Sequence, residues 1–359
     1  MRIAVLGDIA LIGKYDLTKN PEAKSRLLYV KNLLSKYDYV VANLEAPLTN
    51  RSKTRICKSV HLKTATVNVQ LLKFLGINVV SIANNHICDF GIDGLRDTIS
   101  ILEENNIDWC GYNCKDLLID KDGCIVSISA FCCLSTNGVN LGVKKNKVNL
   151  LCKKAIEQQL EKDNVNGASS IMLIHWGEEH THYPLSSTIE IAHSIFKKKS
   201  NVYICGSHPH CLQGTETFNE GFVVYSLGNF LFDDIYSLNG KFCVKNSDDN
   251  KRTCLLSLTF NNSKLENKEL IFLYDDNDGI KRIDFKKEYN FYSRRIINYQ
   301  KPEYQTAREK EIESSRKLKF CKRNFKWLLS RLNYYSIGSK ILSVLNRKKY
   351  TKIQREFKK

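Results

Sequence analysis

The chain has 359 residues, of which 43% are hydrophobic and 26% are charged, a composition that excludes a disordered or fibrous protein and can bury a full core. Thirteen cysteines, an odd number without the spacing of a disulfide framework, predict reduced thiols. The formal net charge of +17 is concentrated in residues 281–359, which hold 24 of the 55 basic and 7 of the 38 acidic residues, so that 31 of each remain upstream.

The first 235 residues alternate between apolar runs that are typical of buried strands and segments with the apolar spacing of helices. In chain order, strands are predicted at 3–6, 39–44, 79–83, 124–128, 170–174, 202–205 and 222–225. Further on, residues 253–260 and 268–274 alternate or run apolar, which predicts an antiparallel hairpin or extra strands against the core. Helices are predicted at 22–36, 67–75, 91–102, 150–160 and 189–197, and a flexible loop at 134–148. Repeated strand–helix–strand units indicate a parallel or mixed sheet with helices packed on it.

Polar side chains that can bind metal ions follow five of these strands. They are Asp8, Glu45, Asn85 with His86, His175, and His208 with His210. Because the carboxyl ends of parallel strands meet at one edge of a sheet, we expect these side chains to form one cluster. Carboxylate, carboxamide and imidazole ligands together suit manganese, zinc or iron, and a pair of such ions can hold a phosphoryl group from both sides. The alternative is a set of solvated polar residues and, for His86, a core histidine bonded to the backbone.

Six sequence blocks resemble the signature blocks of the CapA family of capsule-synthesis and poly-γ-glutamate-associated proteins. The blocks are Gly7-Asp8, Asn43-Leu44-Glu45, Ala83-Asn84-Asn85-His86, His175-Trp176-Gly177, Gly206-Ser207-His208-Pro209-His210 and Tyr225-Ser226-Leu227-Gly228-Asn229-Phe230. They occur in order within residues 1 to about 235. The resemblance implies an α/β fold, a four-layer α/β/β/α sandwich of the calcineurin-like metallophosphoesterase type, over residues 1–280. The composition of residues 281–359 predicts a basic, mainly helical extension.

The resemblance also implies roles for individual residues. Asp8, Glu45 and His210 would bind one divalent ion, and Asn85, His175 and His208 would bind a second, with Glu45 shared between them. His86 would be the general acid that protonates the leaving oxygen. Weaker candidates for touching substrate or orienting the ligands are Asn43, Asn84, Lys63, Glu179 and Asn229.

Surface roles remain the alternative for Lys63 and Glu179, and His180 and His182 are predicted to be exposed. The sequence Asp8-Ile9-Ala10 lacks the histidine of the usual metallophosphoesterase Asp-x-His motif, and Glu45 stands where an aspartate is usual. The first metal site is therefore short of a ligand, and we expect one or two divalent ions (Mn, Zn or Fe).

The resemblance predicts a metal-dependent hydrolase that acts in capsule or poly-γ-glutamate biosynthesis, on an anionic polymer or phosphoester substrate. The alternative is a non-catalytic accessory protein that binds a polymer or a partner enzyme on the same fold.

The basic extension has two interpretations. In residues 319–335, the apolar side chains Phe325, Leu328, Leu329 and Leu332 share one helical face among basic residues, and residues 341–345 form a second apolar segment. This pattern predicts either a cationic anchor on an anionic membrane through residues 319–359 or a helix that packs its apolar stripe on the preceding domain. Nucleic-acid binding ranks third, because no fold for it is recognisable and aromatic residues are sparse.

No export signal is recognised at the start of the sequence, and no window approaches the roughly 18 apolar residues of a membrane span. The expected location is the cytoplasm or the inner face of the membrane.

Overall fold

The computed structural model describes residues 1–58, 60–136, 147–236, 243–276, 278–320, 329 and 332–358. The strands are β1 (Arg2–Ile9), β2 (Tyr39–Leu44), β3 (Val79–Ser81), β4 (Asp108–Cys110), β5 (Leu117–Lys121), β6 (Cys124–Cys132), β7 (Ser169–His175), β8 (Val202–Ser207), β9 (Leu212–Phe218), β10 (Gly221–Leu227), β11 (Asn229–Leu231), β12 (Ile235–Tyr236), β13 (Cys243–Val244), β14 (Arg252–Asn261), β15 (Lys264–Asp275) and β16 (Ile280–Arg282). The α-helices are α1 (Leu28–Leu34), α2 (Val69–Phe74), α3 (Gly91–Glu104), α4 (Lys153–Val165), α5 (Ser186–Phe196), α6 (Lys286–Ile296), α7 (Pro302–Phe320) and α8 (Tyr334–Lys358). Most of the predicted 134–148 loop lies outside the described residues.

Two large mixed sheets form the body of the protein. The first has the order β16-β15-β14-β1-β2-β3-β4, with β11 beside β1, and the second has the order β5-β6-β7-β8-β10-β9. Strands β1 to β4 are mutually parallel, as are β6, β7, β8 and β10, whereas the outer strands are antiparallel. The predicted strands are all present, and the predicted antiparallel hairpin at 253–260 and 268–274 is formed by β14 and β15. The sequence pattern missed the antiparallel strands β5, β9 and β16.

One apolar core fills the space between the sheets. It includes Val5 and Leu256 of the first sheet and Ile171 and Val224 of the second. On the outer face of the second sheet, α4 and α5 pack their apolar side chains against alternate residues of β7, β8 and β10. Right-handed crossovers between adjacent parallel strands place α1 to α3 together on the outer face of the first sheet. The layers are therefore α/β/β/α, which confirms the predicted fold class.

The central parallel strands end at one edge, and the register between them determines which residues lie opposite one another there. Asp8 on β1 lies opposite Asn43 on β2 and opposite Asn229 on β11, and His175 on β7 lies opposite Ser207 on β8. Gly7 is required beside Asp8, because a Cβ there would overlap the carbonyl oxygen of Gly228.

The C-terminal helices pack on this body. Tyr289 and Ile296 of α6 and Tyr304 of α7 are buried, and Ile353 of α8 is also buried. Much of the apolar face predicted in residues 319–335, including Phe325 and Leu328, lies outside the described residues. Within the described part of the chain, no helix has an apolar stretch long enough to cross a membrane.

Candidate metal centre

The six predicted ligands converge at the shared edge of the two sheets. Ligating atoms of Asp8, Glu45 and His210 lie within 4.8 Å of one another, and those of Glu45, His175 and His208 do the same. Oε1 of Glu45 is 3.7 Å from Nε2 of His175 and 3.7 Å from Nε2 of His210. The sixth ligand, Asn85, is adjacent, with Oδ1 2.9 Å from Nε2 of His175. Glu45 is thus common to two close groups of the predicted ligands.

Neighbouring polar residues fix the orientation of these ligands. Asn43 donates from Nδ2 to Oδ1 of Asp8 at 2.7 Å, and Asn84 donates to the carbonyl oxygen of Leu44 at 2.8 Å. Asn229 lies with Oδ1 2.8 Å from Nδ1 of His210, which leaves Nε2 of that imidazole facing Glu45. Asn43, Asn84 and Asn229 therefore lie beside the predicted ligands, and their role in orienting them stays a prediction.

The loop after β8 is held in an uncommon backbone conformation. His208 has a φ of 96° and His210 a φ of 56°, in the left-handed region that non-glycine residues rarely adopt. The backbone N–H of His208 donates to Oδ2 of Asp8 at 3.0 Å. This contact fixes the loop so that both imidazoles turn toward the cluster, and such local strain is common at functional sites.

Three buried atoms of the cluster have no hydrogen-bond partner: both carboxylate oxygens of Glu45 and Nδ1 of His208. Glu45 is fully buried and His208 is 1% exposed. Leaving a buried acceptor without a partner is costly, and a carboxylate more so than a neutral group. Oxygen and imidazole donors in this arrangement fit a divalent transition-metal ion, which would satisfy them.

Burial governs the electrostatics of the cluster. It raises the pKa of Glu45 well above its ordinary value, with the nearby charge of Asp8 adding to the effect, and it also raises the pKa of Asp8. Burial also lowers the pKa of His175 and of His208 well below the ordinary histidine value. Neutral imidazoles are the form that binds metal ions.

His86 lies at the edge of the cluster, with Nε2 4.0 Å from Oε1 of Glu45. Its Nδ1 is 2.6 Å from Oδ2 of Asp89 and 2.9 Å from Nζ of Lys58. Burial and the Lys58 charge lower the pKa of His86, while Lys58 and His86 hold the pKa of Asp89 below its usual value against the effect of burial. With Nδ1 protonated, His86 donates to the Asp89 carboxylate, and Nε2 points toward Glu45.

Sequence reasoning missed Lys58 and Asp89. The sequence of 51–58 indicates only a basic stretch, yet Lys58 is only 6% exposed and donates from Nζ to the carbonyl oxygen of Asn85 at 2.7 Å. Lys63, the lysine that was predicted, lies elsewhere, since its Nζ donates to the carbonyl oxygen of Arg51. The spacing His86-x-x-Asp89 was a signal for the carboxylate, whereas burial of a lysine leaves no trace in the sequence.

Glu179 lies at the mouth of the site. Its carboxylate is within 4.8 Å of ligating atoms of His208 and His210, and its side chain is 43% exposed. His180 and His182 were expected to be exposed, but both are partly buried, because the 178–182 loop is covered by α7. Side chains of His182 and His180 are 11% and 21% exposed.

Helices α7 and α8 hold loops that border the site. On α7, Arg308 pairs with Glu178, and Glu311 accepts from Oγ1 of Thr181 at 3.1 Å. On α8, the Tyr335 hydroxyl donates to the carbonyl oxygen of Thr54 at 2.9 Å, and its ring packs edge-on against His61. The extension is therefore in direct contact with the surroundings of the cluster.

Comparisons with known proteins agree with this picture. A family model described as bacterial capsule synthesis protein PGA_cap matches residues 2–234. The PGA biosynthesis protein CapA of Bacillus subtilis (strain 168) is 29% identical over 240 residues, 64% of this chain and 62% of that protein. The capsule biosynthesis protein CapA of Bacillus anthracis is 30% identical over 219 residues, 57% and 53% of the two chains. Each alignment thus spans less than two thirds of the relative.

Among solved structures, a hypothetical protein from Thermus thermophilus superposes with a TM-score of 0.46 at 14% identity, over 76% of this chain and 98% of that one.

Proposed function

Since the chain belongs to the PGA_cap family of bacterial capsule synthesis proteins, we propose that it is a metal-dependent hydrolase with a phosphoesterase-type site that acts in capsule or poly-γ-glutamate biosynthesis. One observation carries the proposal. The two oxygens of Glu45 are buried without a hydrogen-bond partner, in a ring formed by Asp8, His175, His208 and His210.

In this proposal, Asp8, Glu45 and His210 hold one divalent ion. Asn85, His175 and His208 hold a second, and Glu45 contributes to both. Ions bound there would lower the pKa of a water molecule and polarise a phosphoryl or carbonyl oxygen of the substrate. The flanking asparagines keep the ligands in place, which is the usual role of residues that hydrogen-bond to metal ligands.

When His86 is protonated on both ring nitrogens, it gives the Nε2 proton to the leaving oxygen and becomes neutral, while its Nδ1–H donates to Asp89. Lys58 fixes the Asp89 carboxylate, with 3.1 Å between Nζ and Oδ1, and the two charges neutralise each other. The proposed metal ions, rather than Lys58, would then favour an anionic substrate such as a phosphoester or an anionic polymer.

The two residues that follow Asp8 affect whether the site can be catalytically active. Ile9 and Ala10 are fully buried apolar residues and provide no ligand. Glu179 is the nearest extra carboxylate, although it groups with His208 and His210 rather than with Asp8. This shortage favours, as the second candidate function, an accessory protein that binds an anionic polymer or a partner enzyme through the same cleft.

Metal analysis joined to an activity screen separates the two functions. We expect purified, metal-reconstituted protein to retain one or two divalent ions and to hydrolyse a phosphoester or a γ-glutamyl peptide, and His86→Ala to keep the ions and lose the activity. Protein that binds no stoichiometric metal would refute the metal site. Bound metal with no hydrolysis, together with polymer binding that His86→Ala does not alter, would support the accessory function.

A further inference from the structure

Exposed apolar side chains are concentrated in one short stretch of the chain. Of the sixteen large hydrophobic residues that are exposed in the described part of the protein, eight lie between residues 329 and 345. They are Leu329, Leu332, Tyr334, Tyr335, Ile337, Ile341, Val344 and Leu345. An apolar surface of this density marks an interaction site rather than ordinary surface variation.

On α8 these residues form one line, which we call the α8 stripe: Tyr334, Ile337, Ile341, Val344 and Leu345. Their spacing of three or four residues places them on one face of the helix. The opposite face supplies the buried residues Ser336, Asn346 and Ile353. Tyr334 hydrogen-bonds to Cys57 of the body, but the rest of the stripe is left uncovered, and Ile341 and Val344 are 58% and 60% exposed.

Basic residues surround the stripe and extend it. Helix α8 carries seven lysines and arginines and one acidic residue, Glu356. All seven are exposed: Lys340, Arg347, Lys348, Lys349, Lys352, Arg355 and Lys358. By helical spacing, Lys348, Lys352 and Arg355 continue the line of the stripe beyond Leu345.

We propose that the α8 stripe docks on an anionic membrane surface. The five apolar side chains enter the interface between lipid headgroups and acyl chains, and the adjacent basic residues contact the negatively charged headgroups. A soluble polyanion would engage the basic residues alone and would leave the stripe in water, so the exposed apolar line favours lipid as the partner.

Docking in this way would bring the metal centre to the membrane surface. The start of α8 contacts the segment 54–61 through Tyr335, and Lys58 of that segment reaches His86. The protein would then bind its substrate at the lipid surface. Membrane docking itself does not rest on the proposed hydrolase function, because it is measured without reference to activity.

The test is flotation of the full-length protein with lipid vesicles at low and high salt. We compare vesicles of phosphatidylcholine alone with vesicles that contain phosphatidylglycerol. The triple variant Ile337→Ser, Ile341→Ser, Val344→Ser removes the stripe at exposed positions. The matched control is Val165→Ser with Ile297→Ser, since these side chains are 83% and 76% exposed outside the stripe.

We expect the protein to bind the anionic vesicles and the triple variant to bind them at least about tenfold more weakly, because the burial of even one apolar side chain contributes roughly that factor. The control should bind like wild type. Replacing Lys348, Lys352 and Arg355 by Gln should also weaken binding and reduce its salt dependence. Equal binding by wild type and the triple variant would overturn the proposal, as would preference for soluble polyglutamate with no vesicle binding. Circular dichroism of each variant establishes that the fold is retained.

Discussion

Lys58 and Asp89 form a buried ion pair, 3.1 Å between Nζ and Oδ1, beside the imidazole of His86. Their side chains are 8% and 1% exposed. Removing one partner of such a pair strongly destabilises the protein, because the other charge stays buried without its partner.

We therefore expect Lys58→Met to lower the free energy of unfolding by about 3–5 kcal/mol, measured by urea denaturation. Combining it with Asp89→Asn should cost less than the sum of the two single changes, because no unpaired charge remains. Lys198→Met is the control, since Lys198 pairs with Glu157 in water and little change is expected. An unaltered midpoint for Lys58→Met would contradict the burial of this pair.

Glu45→Gln should have opposite effects with and without metal. In chelator-treated protein, the substitution removes a buried carboxylate whose pKa is raised by burial and by Asp8, so we expect the melting temperature to rise at pH 8. With manganese or zinc added at 100 times the dissociation constant, wild type should gain about 2.7 kcal/mol of stability and the variant should gain much less. If the ranking of the two proteins is the same in both conditions, Glu45 is not a metal ligand.

His86→Ala tests proton transfer separately from metal binding. We expect hydrolysis to fall by about 10²–10⁴-fold, the usual contribution of a general acid, while bound metal measured by elemental analysis stays the same. His193→Ala is a suitable control, because His193 lies on α5 and contacts Glu216 instead of the cluster. Loss of metal from the His86 variant would show that this imidazole is a ligand rather than a proton donor.

His182 should make stability depend on pH. Burial lowers its pKa, but Cys211 and Asp249, whose Oδ2 is 3.6 Å from Nε2, outweigh that effect and raise the pKa well above the ordinary value. Because the pKa of His182 is higher in the folded protein than in the unfolded chain, its protonation stabilises the fold. This stabilisation is complete below about pH 6.5 and is lost as the pH rises through the pKa of the folded state.

Accordingly, His182→Gln should reduce the free energy of unfolding more at pH 6 than at pH 9. In an Asp249→Asn background, part of that difference should disappear, because Cys211 also raises the pKa of His182. The same loss at both pH values would show that the two side chains are not coupled.

Gly206→Ala should destabilise the fold through overlap alone. A Cβ at Gly206 would collide with the carbonyl oxygen of Tyr225 and lie 2.6 Å from Nε1 of Trp176. Overpacking of this kind costs about 1–3 kcal/mol or more, and thermal denaturation measures it. Gly76→Ala is the comparison, because a Cβ there meets nothing within 4 Å and only the φ of 70° opposes it. A smaller loss at Gly206 than at Gly76 would contradict the predicted overlap.

The sequence alone determined the α/β layers and the position of the cluster. Apolar runs and helical spacing are local properties, and parallel strands necessarily end at one edge, so the ligand types at five strand ends predicted that Asp8, Glu45, Asn85, His175, His208 and His210 would meet. The CapA resemblance assigned them to two groups. Asp8, Glu45 and His210 lie together, as do Glu45, His175 and His208, and the ions they would hold stay a prediction.

Tertiary structure alone decided what surrounds the cluster. The segment 51–58 has no periodic pattern, so only the folded path of this loop selects Lys58 over Lys63 as the lysine that reaches His86. In the extension, the sequence showed an amphipathic helix but not which face packs. Contacts with the body cover Ile353 and leave Ile337 and Ile341 exposed, because burial depends on which surfaces meet in space, and a single sequence does not contain that information.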